Sequence, residues 1–130
     1  MNIKSAIQIY QQSGPFDNED GFQVATAKFL NCLMENSELS WFFTGNNIYR
    51  RFLGKSAGVR AGSKSKRMGS KPGIPDCLIW SHNIAIELKM KKGRLSTSQK
   101  EFFEDAEWWG WKCYCCHTPE EVVEAININL

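Results

Sequence analysis

No run of apolar residues in this chain approaches the roughly 20 needed to span a bilayer, and no signal-type apolar core follows Lys4. Nor is there an internal repeat. Membrane-spanning, collagen-like and coiled-coil readings are therefore excluded. A disulfide framework is not expected either, because five cysteines without a secretory signal are an odd number that suits a reducing interior. Acidic residues are missing altogether between Leu39 and Pro75. That gap is the most informative absence.

What fills the gap is positive. Arg50, Arg51, Lys55, Arg60, Lys64, Lys66, Arg67 and Lys71 are eight of the sixteen cations, and Lys89, Lys91, Lys92, Arg94 and Lys100 follow. From Glu101 onward seven acids face Lys112, so the net charge of +2 conceals two halves of opposite sign. A basic half of this kind can meet a polyanion, although a solvated loop rich in Lys and Ser has the same composition. At 130 residues the chain suits one domain spanning 1–130. Within it, 1–15 forms an arm or a short helix and 45–72 a basic variable segment.

Local patterns predict the elements. Asp17 or Asn18 caps a helix to about Glu35, with Phe22, Phe29, Leu30 and Leu33 on one stripe. Leu39 to Thr44 reads as a strand. Asp76–Trp80 and Ile84–Met90 form a hairpin about Ser81–Asn83. Ser96-x-x-Gln99 is a capping box that opens a helix to about Trp109, and Trp111–Cys116 is a further strand. Thr118-Pro119-Glu120-Glu121 is a second box, with proline at the first helical position. The order implies an α/β fold, a mixed sheet flanked by helices. Cys113, Cys115, Cys116 and His117 resemble zinc ligands, but alternation marks a strand and no second Cys-x-x-Cys completes a set. No zinc is expected.

The hairpin carries chemistry. Residues two apart on a strand share a face, so Glu87 and Lys89 project together while Ile84, Ile86 and Leu88 face a helix. Folding about the turn returns Asp76 to the neighbourhood of residues 87–89. Two hard oxygen donors with room for water suit Mg²⁺, and a nearby ammonium can orient a phosphate or a nucleophile. Taken singly, Glu-x-Lys is a solvated ion pair and Pro-Asp a common way to begin a strand. Their convergence beside a basic belt favours a site.

Lys71-Pro-Gly-Ile-Pro-Asp76, Ile84-Ala-Ile-Glu-Leu-Lys89, Gly93-Arg-Leu-Ser-x-x-Gln99 and Gly110-Trp111 together resemble the virus-type replication-repair nuclease (VRR-NUC) family of the PD-(D/E)XK superfamily. The resemblance runs from about Pro72 to Glu124 and extends loosely to Glu19–Leu33. It implies a restriction-endonuclease-like core and Mg²⁺-dependent cleavage of DNA, with Mn²⁺ able to substitute. Asp76 and Glu87 would be the metal-binding carboxylates, the backbone carbonyl of Leu88 a further ligand, and Lys89 the catalytic lysine. Glu19, with Gln23 one turn later, would face the metal from the first helix, or else simply complement the helix dipole. Gln99 would either complete its capping box or reach the active site. Gly73 would let the backbone pass close to other groups, or serve as an ordinary turn glycine.

The basic segment departs from the family pattern. Arg50, Arg51, Arg60, Lys64, Lys66, Arg67 and Lys71 are expected to hold DNA phosphates without reading sequence, joined by Lys91, Lys92 and Arg94. Branched DNA, a four-way junction or a flap, is the expected substrate. The alternatives are a sequence-reading restriction-like endonuclease and a non-catalytic DNA-binding module on the same fold. Core packing is expected to take most of Trp41, Phe42, Phe43, Trp108, Trp109 and Trp111. The remainder would serve a homodimer interface, as in dimeric junction-resolving enzymes. By the same resemblance the protein would act in a bacterial cytoplasm or on the nucleoid, as a phage or prophage product.

Overall fold

The computed structural model describes residues 1–45, 67–69 and 71–127. Most of the basic segment, including Arg50, Arg51, Arg60, Lys64 and Lys66, lies outside the described residues. The elements in chain order are α1 (Ile3–Gln11), α2 (Glu19–Glu35), β1 (Phe42–Phe43), β2 (Cys77–Ile79), β3 (Ile84–Leu88), α3 (Thr97–Trp108), β4 (Lys112–Cys116) and α4 (Pro119–Asn127). The sheet order is β1-β2-β3-β4. The first two pairings are antiparallel and β3–β4 is parallel, with α3 as the crossover. This is the mixed sheet with flanking helices that the element order predicts.

Helix starts follow local chemistry. The Asn2 side chain accepts from the Ser5 amide at 2.8 Å and Asn18 from the Gly21 amide at 2.9 Å, so each satisfies a donor that the first turn leaves free. Glu19 and Asp20 then lie where the α2 dipole favours negative charge. Of the two cap candidates, Asn18 is the one used.

Strand β3 is central, and all five of its residues are buried. Ile84, Ile86 and Leu88 join Cys77, Ile79 and Cys116 in one core with Phe22, Leu30 and Leu33 of α2 and Val122 and Ile126 of α4. Helix α1 is locked onto α2 by a stacked Tyr10–Phe29 pair at 4.6 Å and by a buried Tyr10–Thr26 hydroxyl contact at 2.7 Å. Thr26 donates to the Phe22 carbonyl, which leaves Tyr10 as donor to Thr26. The first segment is thus a helix built into the core. Ala85 and Glu87 point to the opposite face, where α3 lies.

Two expectations need correction. Leu39–Thr44 is a strand over Phe42–Phe43 alone. Beyond those residues one backbone bond remains at each end, Thr44 amide to Asp76 carbonyl and Ser81 amide to Ser40 carbonyl, and side chains supply the rest: the Ser40 amide donates to Ser81 Oγ (2.8 Å) and Thr44 Oγ1 donates to the Pro75 carbonyl (2.8 Å). Pro75 has no amide hydrogen with which to continue the ladder. The aromatics also differ. Trp41 is buried, its indole donating to Asn31 Oδ1 at 2.9 Å, and Trp111 is half-buried. Phe42, Phe43, Trp108 and Trp109 are exposed, the last two at 83% and 75%. The inward stripe of α3 runs through Gln99, Phe103 and Ala106, and the helix ends before that stripe recurs.

Candidate active site

The hairpin register sets the site. Cys77 pairs with Ile86, so continuing one residue places Asp76 across from Glu87. The two carboxylates are then held reciprocally by backbone. The Asp76 amide donates to Glu87 Oε2 at 3.2 Å, and the Leu88 amide donates to Asp76 Oδ2 at 3.0 Å. Each acid is positioned by the strand that carries the other. Lys89, two residues beyond Glu87 on the same side, holds its ammonium 3.9 Å from Glu87 Oε1.

Gln99 does both things that its position allows. Its Oε1 accepts from the Ser96 amide at 2.8 Å, completing the capping box with the Gln99 amide on Ser96 Oγ. Its Nε2 meanwhile donates to Glu87 Oε1 at 3.2 Å. One amide side chain therefore starts α3 and anchors that helix to the acidic pair. Gly73 makes this approach possible. It sits at φ +77°, and a β-carbon there would lie 2.3 Å from the Ser98 carbonyl oxygen. Thr44 adds a hold that the sequence reading missed, its amide donating to the Asp76 carbonyl at 3.0 Å. No residue type signals it, because the donor is a backbone amide that any residue but proline supplies.

The electrostatics are those of crowded negative charge. Glu87 is 2% exposed, and its carboxyl is pushed well above the usual range. Loss of hydration is the main cause, followed by the Asp76 charge and a hydrogen bond between the two carboxyl groups; Lys89 and the Asp76 amide pull the other way. Two adjacent acids with one ammonium beside Glu87 need a shared proton or a cation. Paired carboxylates are hard oxygen donors of the kind a divalent ion takes, and the Leu88 backbone carbonyl would be a third.

Glu19 lies in the first turn of α2 and, among the described residues, has no hydrogen bond or ion pair with Asp76 or Glu87. Gln23, one turn on, reaches Cys77 Sγ at 3.6 Å, just behind Asp76 on the core face. Arg67, Lys71, Lys91, Lys92 and Arg94 are exposed, and Lys71 pairs with Asp105 of α3 at 3.6 Å. The second box is altered: the Glu121 amide bonds Thr118 Oγ1, but the Glu121 carboxylate takes the His117 amide at 2.9 Å. The five thiols are free.

No family model and no curated protein matches the chain. A solved structure is similar to it. That structure is described as a VRR_NUC domain protein, with 26% identity over 54% of this chain and 62% of the other, at a TM-score of 0.49. The chain therefore spans less than two thirds of that protein.

Proposed function

We propose that this chain is a divalent-metal-dependent endonuclease that hydrolyses phosphodiester bonds in DNA, with branched duplex as its preferred substrate. The observation that carries the reading is the reciprocal backbone hold on Asp76 and Glu87, with Lys89 on the same side. A structural ion pair would not need a buried Glu87 set against a half-buried Asp76 that repels it. A site that gathers a cation would.

Asp76, Glu87 and the Leu88 carbonyl would hold Mg²⁺ or Mn²⁺. When bound, such an ion supplies charge stabilisation at a scissile phosphate and makes water easier to deprotonate. The chain's own residues do the rest. Lys89 presents an ammonium to a phosphate oxygen or to the nucleophile, and Gln99 fixes the rotamer of Glu87. Arg67, Lys71, Lys91, Lys92 and Arg94 would hold the DNA backbone, with Arg50, Arg51, Arg60, Lys64 and Lys66 available from the basic segment. Contacts of that type carry no base readout, which favours recognition of shape. Glu19 remains the acid that α2 could add once DNA and metal are present. A two-fold dimer would suit a symmetric junction, and the exposed aromatics Phe42 and Phe43 of β1, or Trp108 and Trp109 at the end of α3, would offer it apolar surface. Light scattering at working concentration reads that directly.

The test is a panel of labelled linear, flap and four-way substrates with Mg²⁺ or with EDTA. Cleavage should need the ion and favour the branched forms. Asp76→Ala and Glu87→Ala should abolish it while leaving DNA binding largely intact. Cutting at one sequence in linear duplex would make it a sequence-reading enzyme. Undiminished cutting by the Glu87 variant, or in excess EDTA, would end the proposal.

A further inference from the structure

His117 lies directly after β4, at the sheet end that carries the acidic pair. Three contacts hold it there. Its amide donates to Glu121 Oε2 at 2.9 Å, its ring Nδ1 is 3.6 Å from the same oxygen, and its ring Nε2 is 2.8 Å from the Gly93 carbonyl oxygen. A carbonyl can only accept, so Nε2 carries the proton in that bond. Gly93 closes the turn after β3, its amide donating to the Met90 carbonyl at 2.7 Å.

That turn folds back over the Lys89 stem. A β-carbon at Gly93 would lie 3.1 Å from Lys89 Cβ and 3.4 Å from Lys89 Cδ. The Lys89 amide also donates to the Cys116 carbonyl at 3.0 Å, so the lysine and the histidine leave neighbouring strands at the same level. Flexible lysine side chains lose position easily. This one keeps only 17% of its side-chain surface exposed.

We propose that His117 is a positioning residue for Lys89: by holding the Gly93 carbonyl it clamps the Met90–Gly93 turn against the lysine stem and so places the ammonium beside Glu87. The part concerning catalysis rests on the nuclease reading; the part concerning Lys89 does not. Glu121 fixes the His117 backbone in turn, its carboxylate accepting from the His117 amide instead of completing the capping box.

Two measurements on the full chain test this. The first is amine acetylation followed by mass spectrometry, with exposed Lys4 and Lys28 as internal references. His117→Ala should raise Lys89 labelling severalfold. His117→Asn, too short to reach the Gly93 carbonyl, should do the same and stands in if the alanine variant does not fold. His117→Gln, which keeps a donor near the position of Nε2, should restore protection. Equal Lys89 labelling in all forms overturns the proposal.

The second is single-turnover cleavage with Mg²⁺. His117→Ala should slow it about tenfold, the scale of a small misplacement of a catalytic group. DNA affinity and melting temperature should stay close to wild type. In a Lys89→Ala background the same change should cost little more, because its effect passes through the lysine. A full tenfold loss there, or wild-type cleavage by His117→Ala, overturns it. If the wild-type chain cuts nothing, the nuclease reading fails and the labelling alone decides the positioning.

Discussion

Gly73 and the Ser98 carbonyl lie so close that any side chain at position 73 must displace one of them. The loop that delivers Asp76 and the helix that delivers Gln99 are therefore seated by a missing β-carbon. Gly73→Ala would meet both this overlap and the cost of φ +77°, which is about 1–2 kcal/mol for an L-residue. The expected outcome is a lower melting temperature together with a loss of cleavage of tenfold or more, as the loop retreats from α3. Thermal unfolding and single-turnover rates check it. Wild-type values for both would show that the loop has another way to seat itself.

The two bonds of Gln99 can be separated. Gln99→Glu keeps an acceptor for the Ser96 amide and so preserves the cap, but it removes the donor to Glu87 and adds a third negative charge. Helix content by circular dichroism should hold, while cleavage falls and more Mg²⁺ is needed for half-maximal rate. Gln99→Ala should reduce helix stability as well, by about 1 kcal/mol for removal of the capping bond. Identical helix stability in the two variants would mean that the capping bond contributes nothing separate, and wild-type cleavage by Gln99→Glu would mean the same of the bond to Glu87.

The exposed cations after β3 make a prediction about salt. Each phosphate neutralised by a cation contributes about 0.9 to the slope of log affinity against log salt on duplex DNA. Replacing Lys91 and Lys92 together by Ala should weaken binding and flatten that slope by about 0.9 for each phosphate no longer neutralised. Fluorescence anisotropy across a salt series measures it. An unchanged slope would place the DNA elsewhere on the surface.

The hairpin and both helix starts around it were legible because their causes are local. Period-two alternation in Ile84–Leu88 and a four-residue turn fix the register, and the register alone puts Asp76 across from Glu87. Ser96 and Gln99 close a box within one helical turn. The rest is tertiary. How far Leu39–Thr44 ladders depends on the Ser81 hydroxyl taking the Ser40 amide beyond one end of β2 and on the Thr44 hydroxyl reaching the Pro75 carbonyl beyond the other. Spacing alone cannot say that Gln99 bonds a strand and its own helix at once. Tryptophans 108 and 109 read as core by type, yet helix phase turns them outward.

The last prediction concerns acidity and the ion. In the metal-free protein the Glu87 carboxyl is raised, by burial first and by Asp76 next, from 4.5 to about 9. A group whose pKa is higher folded than unfolded binds its proton more tightly in the folded state. Its contribution to stability is thus complete below about pH 4.5 and is lost as pH rises through the folded value. Gln at position 87 cannot titrate. Glu87→Gln in EDTA should therefore gain on wild type as pH rises from 5 to 9, read as a melting-temperature difference that moves steadily in favour of the variant. Adding Mg²⁺ at pH 8 should reverse the ranking, since the ion takes the place of the proton between the two wild-type carboxylates and has only one in the variant. Parallel melting curves across that range, with no response to Mg²⁺, would show that Glu87 is neither strained by Asp76 nor part of a cation site.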